Sequence, residues 1–213
     1  MRTASISLTT YNREVYEPSD DTFLLVDALL KASSQWPKRP YLCIEIGCGS
    51  GFASCALALI LCQLGLPHHL IALDISKDAV TATRATLKAH GVISADVVQD
   101  RFQDFLSRTE QQYDIVVFNP PYVPTPDEEL QRTDIARSWA GGWKGRIVID
   151  QFLSYVPKIL AQEGQLFLVV VSENDPPGIL KALEELDSSL SGQVLMTRRA
   201  DEELLSVLHI QRR

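Results

Sequence analysis

Asn119-Pro120-Pro121-Tyr122 follows directly on an apolar run, residues 113–118, "YDIVVF". An amide, two imino acids and an aromatic ring make an odd end to a buried strand unless they hold something. A planar nitrogen, in a carboxamide or a nucleobase amine, has its lone pair drawn into the π system and is a poor nucleophile. Its reactivity depends on being held: two acceptors in a rigid array can take its N–H groups and aim the nitrogen at an electrophile. The Asn119 side-chain oxygen is one such acceptor. The Pro120 carbonyl is a second, steadied because proline fixes φ. Pro121 stiffens the same turn, and Tyr122 offers a flat face to a planar group. Orientation of this kind is worth several kcal/mol. The competing reading is a proline-marked turn after a strand.

Three further stretches place polar or glycine residues at strand ends. "EIGCGSG", residues 45–51, gives Glu45, Gly47, Gly49 and Gly51 in alternation. Glycines let a backbone approach a ligand closely, and a helix N-terminus just beyond attracts negative charge. The G-x-G-x-G spacing departs from the dinucleotide G-x-G-x-x-G. Asp74, about 25 residues after the glycine turn, can accept both hydroxyl hydrogens of a ribose. It can also cap the helix beginning near Lys77, a role open equally to Ser76. Asp100 can accept from an exocyclic amine such as adenine N6, or simply serve a turn.

Stepping along the chain, apolar runs alternate with helical patterns. Residues 23–30 read as a helix capped by Thr22 or an Asp before it. Residues 41–47 read as a buried strand, 52–65 as an apolar helix closed by Gly65, 69–75 as a strand, and 77–91 as an amphipathic helix closed by Gly91. Strands follow at 95–100 and 113–119, then an irregular stretch at 120–145. Residues 146–164 read as a helix that Pro157 kinks or restarts, 165–171 as a fifth strand, and 176–190 as a helix with proline near its start. Residues 192–200 and 203–213 close the chain as a hairpin. Continuous apolar strands alternating with helices mean a mostly parallel sheet with helices on both faces, and the last pair makes an antiparallel end. The fold class is α/β, with residues 1–213 as one domain and residues 1–40 as an N-terminal helical segment packing on it. Open parallel sheets bind ligands at the carboxyl ends of their strands, where all these polar residues fall.

With 213 residues, 46% hydrophobic and 22% charged, the chain can fill one core. It carries neither a bilayer-length apolar run nor a secretory leader, so a cytosolic or nuclear location is expected. The net charge of −7 disfavours nonspecific nucleic-acid binding. Cys43, Cys48, Cys55 and Cys62 lack metal-knuckle spacing and read as buried free thiols; no metal is expected.

"EIGCGSG", Asp74, Asp100 and "NPPY" together resemble class I methyltransferases that use S-adenosylmethionine. The last motif is typical of enzymes that methylate planar nitrogens. "VYEPSDDTFLLVDAL", residues 15–29, and "WAGGWKGRIVIDQFL", residues 139–153, are similar to the short eukaryotic and archaeal branch of the HemK/PrmC protein-glutamine methyltransferases. The resemblance covers nearly the whole chain. It implies a Rossmann-like, seven-stranded fold and N5-methylation of the glutamine in the Gly-Gly-Gln loop of class I translation termination (release) factors. It implies that Asn119 and the Pro120 carbonyl hold the glutamine amide, with Pro121 and Tyr122 beside it. Glu45 and Gly47 would meet the methionine part of S-adenosylmethionine, Asp74 the ribose, and Asp100 with Arg101 the adenine, while Thr22 closes over the cofactor; Gly49 and Asn119 are also expected to contact it. Arg101 departs from the apolar residue common at that place. The branch also implies a heterodimer with a small zinc-binding activator. The expected docking place is the edge strand that carries Val97 and Val98, since an uncovered apolar edge invites strand addition. Two other activities stay open, N6-adenine methylation of DNA and lysine methylation, as does a noncatalytic scaffold.

Overall fold

The computed structural model describes residues 3–126, 139–200 and 203–213. Seven strands form one sheet in the order β3-β2-β1-β4-β5-β7-β6. They are β1 (Tyr41–Ile46), β2 (His68–Asp74), β3 (Ala95–Gln99), β4 (Tyr113–Phe118), β5 (Leu160–Val171), β6 (Leu190–Ala200) and β7 (Glu203–Arg212). The first five run parallel, and β7 slots antiparallel between β5 and β6. The α/β expectation, closing hairpin included, is met.

Burial explains the order. β1 and β4 are buried at nearly every position, and so is β5 from Leu166 to Val171, which is why these runs are continuously apolar. β3 and β6 mix exposed and half-buried residues, as suits the two edges. Helices α1 (Asp20–Ser33), α2 (Phe52–Gln63) and α3 (Lys77–Ala89) pack in succession, with α1 touching β5, β6 and β7 as well as α2. Ten consecutive residues of α2, Phe52–Leu61, are buried, so its Ala and Leu content reflects cover on all sides.

Several sequence boundaries shift. α1 begins at Asp20, with Asp20 and Asp21 in its first turn, where acidic side chains favour the helix dipole. Residues 146–164 are not one helix: α5 (Ile147–Leu153) ends, α6 (Val156–Ile159) restarts with Pro157 in its first turn, and Leu160 already belongs to β5. Glu163, at φ 62°, adds a bulge, so β4 pairs first with Leu160 and then with Gln165. Helix α4 (Phe102–Arg108) escaped the sequence reading; seven residues, about two turns, with Phe102, Phe105 and Leu106 inward are too few for periodicity to stand out. Helix α7 (Pro176–Leu186) stops before Asp187, whose carboxylate accepts from Ser189 N and Oγ. Cys43, Cys48 and Cys55 are buried free thiols, but Cys62 is exposed. β2 begins at His68, one residue before the strand read from the sequence.

No helix among the described residues is long and apolar enough to cross a membrane, and no metal-ligand cluster occurs among them.

Candidate active site

The strand order reverses between β1 and β4, so the loops leaving these two strands diverge and open a crevice at their carboxyl ends. A cavity of about 600 Å³ lies there. Eleven residues expected at the cofactor and substrate line it: Thr22, Glu45, Gly47, Gly49, Asp74, Asp100, Arg101, Asn119, Pro120, Pro121 and Tyr122; Gly51 lies behind the turn, against α3.

The glycine turn leaves β1 by bonding to β2: Gly47 N and Cys48 N both donate to Leu73 O, at 2.8 and 3.0 Å. Gly47, Gly49 and Gly51 have φ of 69°, 52° and 76°, a left-handed turn at alternate residues. Gly51 is the position where a side chain would collide. A Cβ there would stand 2.8 Å from Thr83 Cα on α3. The missing carbon lets the fully buried Thr83 reach the turn, where its hydroxyl donates to Gly49 O at 3.0 Å.

Asp74 completes the turn. Its Oδ2 accepts from Gly49 N at 3.0 Å and its Oδ1 from Ser76 N at 2.8 Å. The cap of α3 is Ser76, which accepts from Ala79 N, so Asp74 is not spent as a helix cap. Asp100 accepts from Arg101 N at 2.8 Å and pairs with Arg108. Arg101 occupies the position before α4; its half-exposed side chain lies 3.7 Å from Asp104, and the residue lines the cavity.

Glu45 is buried in β1 and accepts from Ser54 Oγ. Burial pushes its carboxyl up to about 8; the Ser54 hydrogen bonds oppose this and the charge of Asp74 adds to it. A neighbouring cation is what this group lacks. The sign of the linkage follows. Glu45 adds its full stability below pH 4.5, its ordinary value, and loses it as pH climbs to about 8, where the native carboxyl also ionises. The slope is at most about 1.4 kcal/mol per pH unit. Glu45→Gln, which cannot ionise, should therefore gain thermal stability relative to the ligand-free parent between pH 5 and 8. Paired melting curves across that range check this, and parallel pH profiles would refute it.

The "NPPY" loop leaves β4 after Phe118. Asn119 Nδ2 donates to Asp21 Oδ2 at 2.9 Å, while its Oδ1 is buried with no hydrogen-bond partner. A buried acceptor left unpaired costs about 1–3 kcal/mol. A substrate N–H would relieve that cost. The Tyr122 hydroxyl donates to the same Asp21 oxygen at 3.1 Å, and Tyr122 is only 8% exposed. Burial, then the charge of Asp21, drive the Tyr122 phenol far above its ordinary range and push Tyr16 up to about 12.

Sequence reasoning missed two residues that shape this loop. Asp21 stood in view in "EPSDD", but only its neighbour Thr22 was assigned to the site. Asn174, after β5, is fully buried; its Oδ1 accepts from Val171 N at 2.7 Å, and its Nδ2 donates to Tyr122 O at 2.8 Å and Lys144 O at 2.9 Å. It thereby ties the end of β5, the "NPPY" turn and the "WAGGWKG" segment together. Nothing in its local sequence marks it, because its partners lie 30 and 52 residues away.

A crevice at the β1/β4 reversal, a glycine cradle, an acid ending β2 and an amide ending β4 define a class I methyltransferase. Residues 39–204 match a protein family described as "Methyltransferase domain". The chain is 38% identical over 200 residues to Methyltransferase HEMK2 of Mus musculus, covering 94% of this chain and 91% of that protein. It is 37% identical over 213 residues to the eRF1 methyltransferase catalytic subunit mtq2 of Schizosaccharomyces pombe, covering 94% and 90%. The solved E. cuniculi Mtq2-Trm112 complex, described as responsible for methylating the eRF1 translation termination factor, shares the fold at a TM-score of 0.61 and 24% identity, covering 94% of this chain and 99% of that one. The chain belongs to the HemK/PrmC-like methyltransferases.

That family implies S-adenosylmethionine, and the residues present fit it. The cavity has the volume of a small-molecule site. The cradle exposes backbone, Glu45 favours a cation, and Asn119 holds an unpartnered acceptor.

Proposed function

We propose that this chain transfers a methyl group from S-adenosylmethionine to the N5 nitrogen of the glutamine in the Gly-Gly-Gln loop of a class I translation termination factor. The observation that carries the reading is the Asn119 amide, its nitrogen bound to Asp21 and its oxygen buried and unpartnered beside the glycine cradle. Its two closely similar relatives, one of them an eRF1 methyltransferase by name, support the choice of substrate.

When bound, the cofactor supplies an activated methyl on a sulfonium. Glu45, Gly47 and Gly49 hold its amino-acid end, Asp74 its ribose, and Asp100 with the Arg101 backbone its adenine; Thr22 covers it from α1. Asn119 Oδ1 and the Pro120 carbonyl accept the two N–H groups of the glutamine amide, and this fixes the plane of the nitrogen. Pro121 and Tyr122 wall the turn. Asn119 is too weak a base to take the proton that leaves, so its part is orientation. Incubation with labelled cofactor, a termination factor and, separately, DNA tests the reading. Label on the glutamine loop supports it; label on DNA adenine alone overturns it.

The same reading gives the chain a small zinc-binding activator as partner and a cytosolic or nuclear location. β3 is a sheet edge, as the sequence led one to expect. Val97 and Val98 are half-buried, and Arg84 Nη2 donates to Val97 O at 2.9 Å. The bare apolar group is Ile93, 95% exposed just before the strand. Beside it Leu87, Val92, Ala95 and Val97 form a shallow hollow rimmed by Arg84 and Lys88. Ile93→Asp should leave the isolated chain's melting point unchanged and weaken activator binding by about tenfold or more, as loss of an interface anchor does. Titration calorimetry with the activator measures this; unaltered affinity would remove β3 as the docking edge.

A further inference from the structure

Asp21 sits in the first turn of α1, 4% exposed, with its two oxygens facing different neighbours. Oδ1 accepts from Thr22 N at 2.6 Å and Thr22 Oγ1 at 3.2 Å. Oδ2 accepts from Asn119 Nδ2 at 2.9 Å and the Tyr122 hydroxyl at 3.1 Å. The charge of the same carboxylate helps, after burial, to push the Tyr16 phenol up to about 12. An ionised carboxylate can only accept. Asn119 must therefore turn its NH2 toward Asp21, and its oxygen is left over, buried and unpartnered.

The two ends of a carboxamide are nearly the same size, so packing alone selects weakly between its two orientations. Hydrogen bonding selects strongly. Turned the other way, Asn119 would set two N–H donors against a substrate amide that is itself a donor. The loop would keep its shape and lose its chemistry.

We infer that Asp21 is a positioning residue, reaching from the N-terminal helix to fix the Asn119 amide so that its oxygen rather than its NH2 is offered to the substrate nitrogen. The inference rests on the proposed glutamine methylation. Asp21 also holds Thr22 through the same carboxylate, which couples the N-terminal helix to both halves of the cavity.

Asp21→Asn tests this with little change in volume. It puts one oxygen and one NH2 where there were two acceptors. The Thr22 backbone N–H cannot turn away, so the new oxygen faces it and the new NH2 faces Asn119. Asn119 then reverses and presents its donors to the substrate. The expected result is a fall in kcat of about 10- to 100-fold, less than the outright loss of a preorganised group because the Asn119 amide is still present and only its preferred orientation is reversed. The KM for S-adenosylmethionine and the melting temperature should stay close to the parent's. The exchanged pair, Asp21→Asn with Asn119→Asp, keeps the net charge. One oxygen of the new carboxylate accepts from the new amide and the other serves the substrate. It should recover about tenfold over Asp21→Asn alone. A purely structural role predicts no such recovery.

A readout without substrate completes the test. Nitrogen-labelled asparagine side chains report the Asn119 NH2 by NMR. Its protons should exchange slowly in the parent and at least about tenfold faster in Asp21→Asn, since they lose a buried acceptor. Wild-type kcat and unchanged exchange in Asp21→Asn would overturn the inference. So would a loss of activity that merely tracks lost folding or cofactor binding, with no recovery in the exchanged pair. If the parent transfers no methyl to the glutamine loop, the proposed function falls, and the exchange rates still decide how Asn119 is held.

Discussion

Asn119→Ala is expected to lower methyl transfer by about 100- to 1,000-fold while leaving S-adenosylmethionine affinity within about threefold of the parent. The magnitude is that of removing one preorganised hydrogen-bonding group from a water-poor site, about 3–4 kcal/mol. The asymmetry has a structural reason. Asn119 Nδ2 is occupied by Asp21, and Oδ1 has no partner, so the side chain makes no hydrogen bond to the glycine turn. The turn is held instead by Leu73, Asp74 and Thr83. Alanine therefore leaves the cradle standing. It also leaves Asp21 with Tyr122 and Thr22 as partners. Single-turnover rates alongside equilibrium cofactor binding separate the two effects. Equal losses in both would mean that Asn119 serves the cofactor rather than the amide.

Gly51→Ala is expected to act in the opposite way, damaging the fold and the cradle together. At φ 76° an alanine bears left-handed strain of about 1–2 kcal/mol. Its Cβ would stand 2.8 Å from Thr83 Cα and 3.0 Å from both Thr83 Cγ2 and Oγ1. The nearest of these atoms is backbone inside α3, which cannot swing aside, so overpacking adds about 1–3 kcal/mol. Together these predict a fall in melting temperature of roughly 5–15 °C for a chain of this size. If α3 yields, the Thr83 bond to Gly49 O goes with it and cofactor binding weakens too. Thermal melts with and without cofactor measure both. A melting point within a degree or two of the parent would show that the turn and α3 do not pack as described.

Much of this architecture was legible because each strand ends on a residue that announces it. The apolar runs into Gly47, Asp74 and Asn119 gave the strand positions, and the parallel-sheet rule gave the rim on which they meet. The eleven residues expected at the cofactor and substrate line the cavity, because period-2 strands and glycine-closed helices leave little freedom in where such ends point. What stayed hidden was long-range. Asp21 is separated by 98 residues from Asn119, and local patterning offers it only a place in a helix's first turn. Asn174 gains its meaning from Tyr122 and Lys144 across the top of the sheet. The bulge at Glu163 merged two readings, since "KILAQEGQLF" carries helical and extended signals in one window and pairing with β4 decides between them. Tyr122 offered the sequence a stacking face, yet it is buried with its hydroxyl bound to Asp21.

The most direct test of the account is a structure of the chain, with the proposed activator, holding demethylated cofactor and a glutamine-bearing peptide from the Gly-Gly-Gln loop. The account predicts the glutamine side-chain nitrogen within about 2.7–3.2 Å of both Asn119 Oδ1 and Pro120 O, the hydrogen-bond range. Asn119 Nδ2 would still rest on Asp21. A glutamine amide bound elsewhere, or facing the Asn119 nitrogen instead of its oxygen, would contradict it.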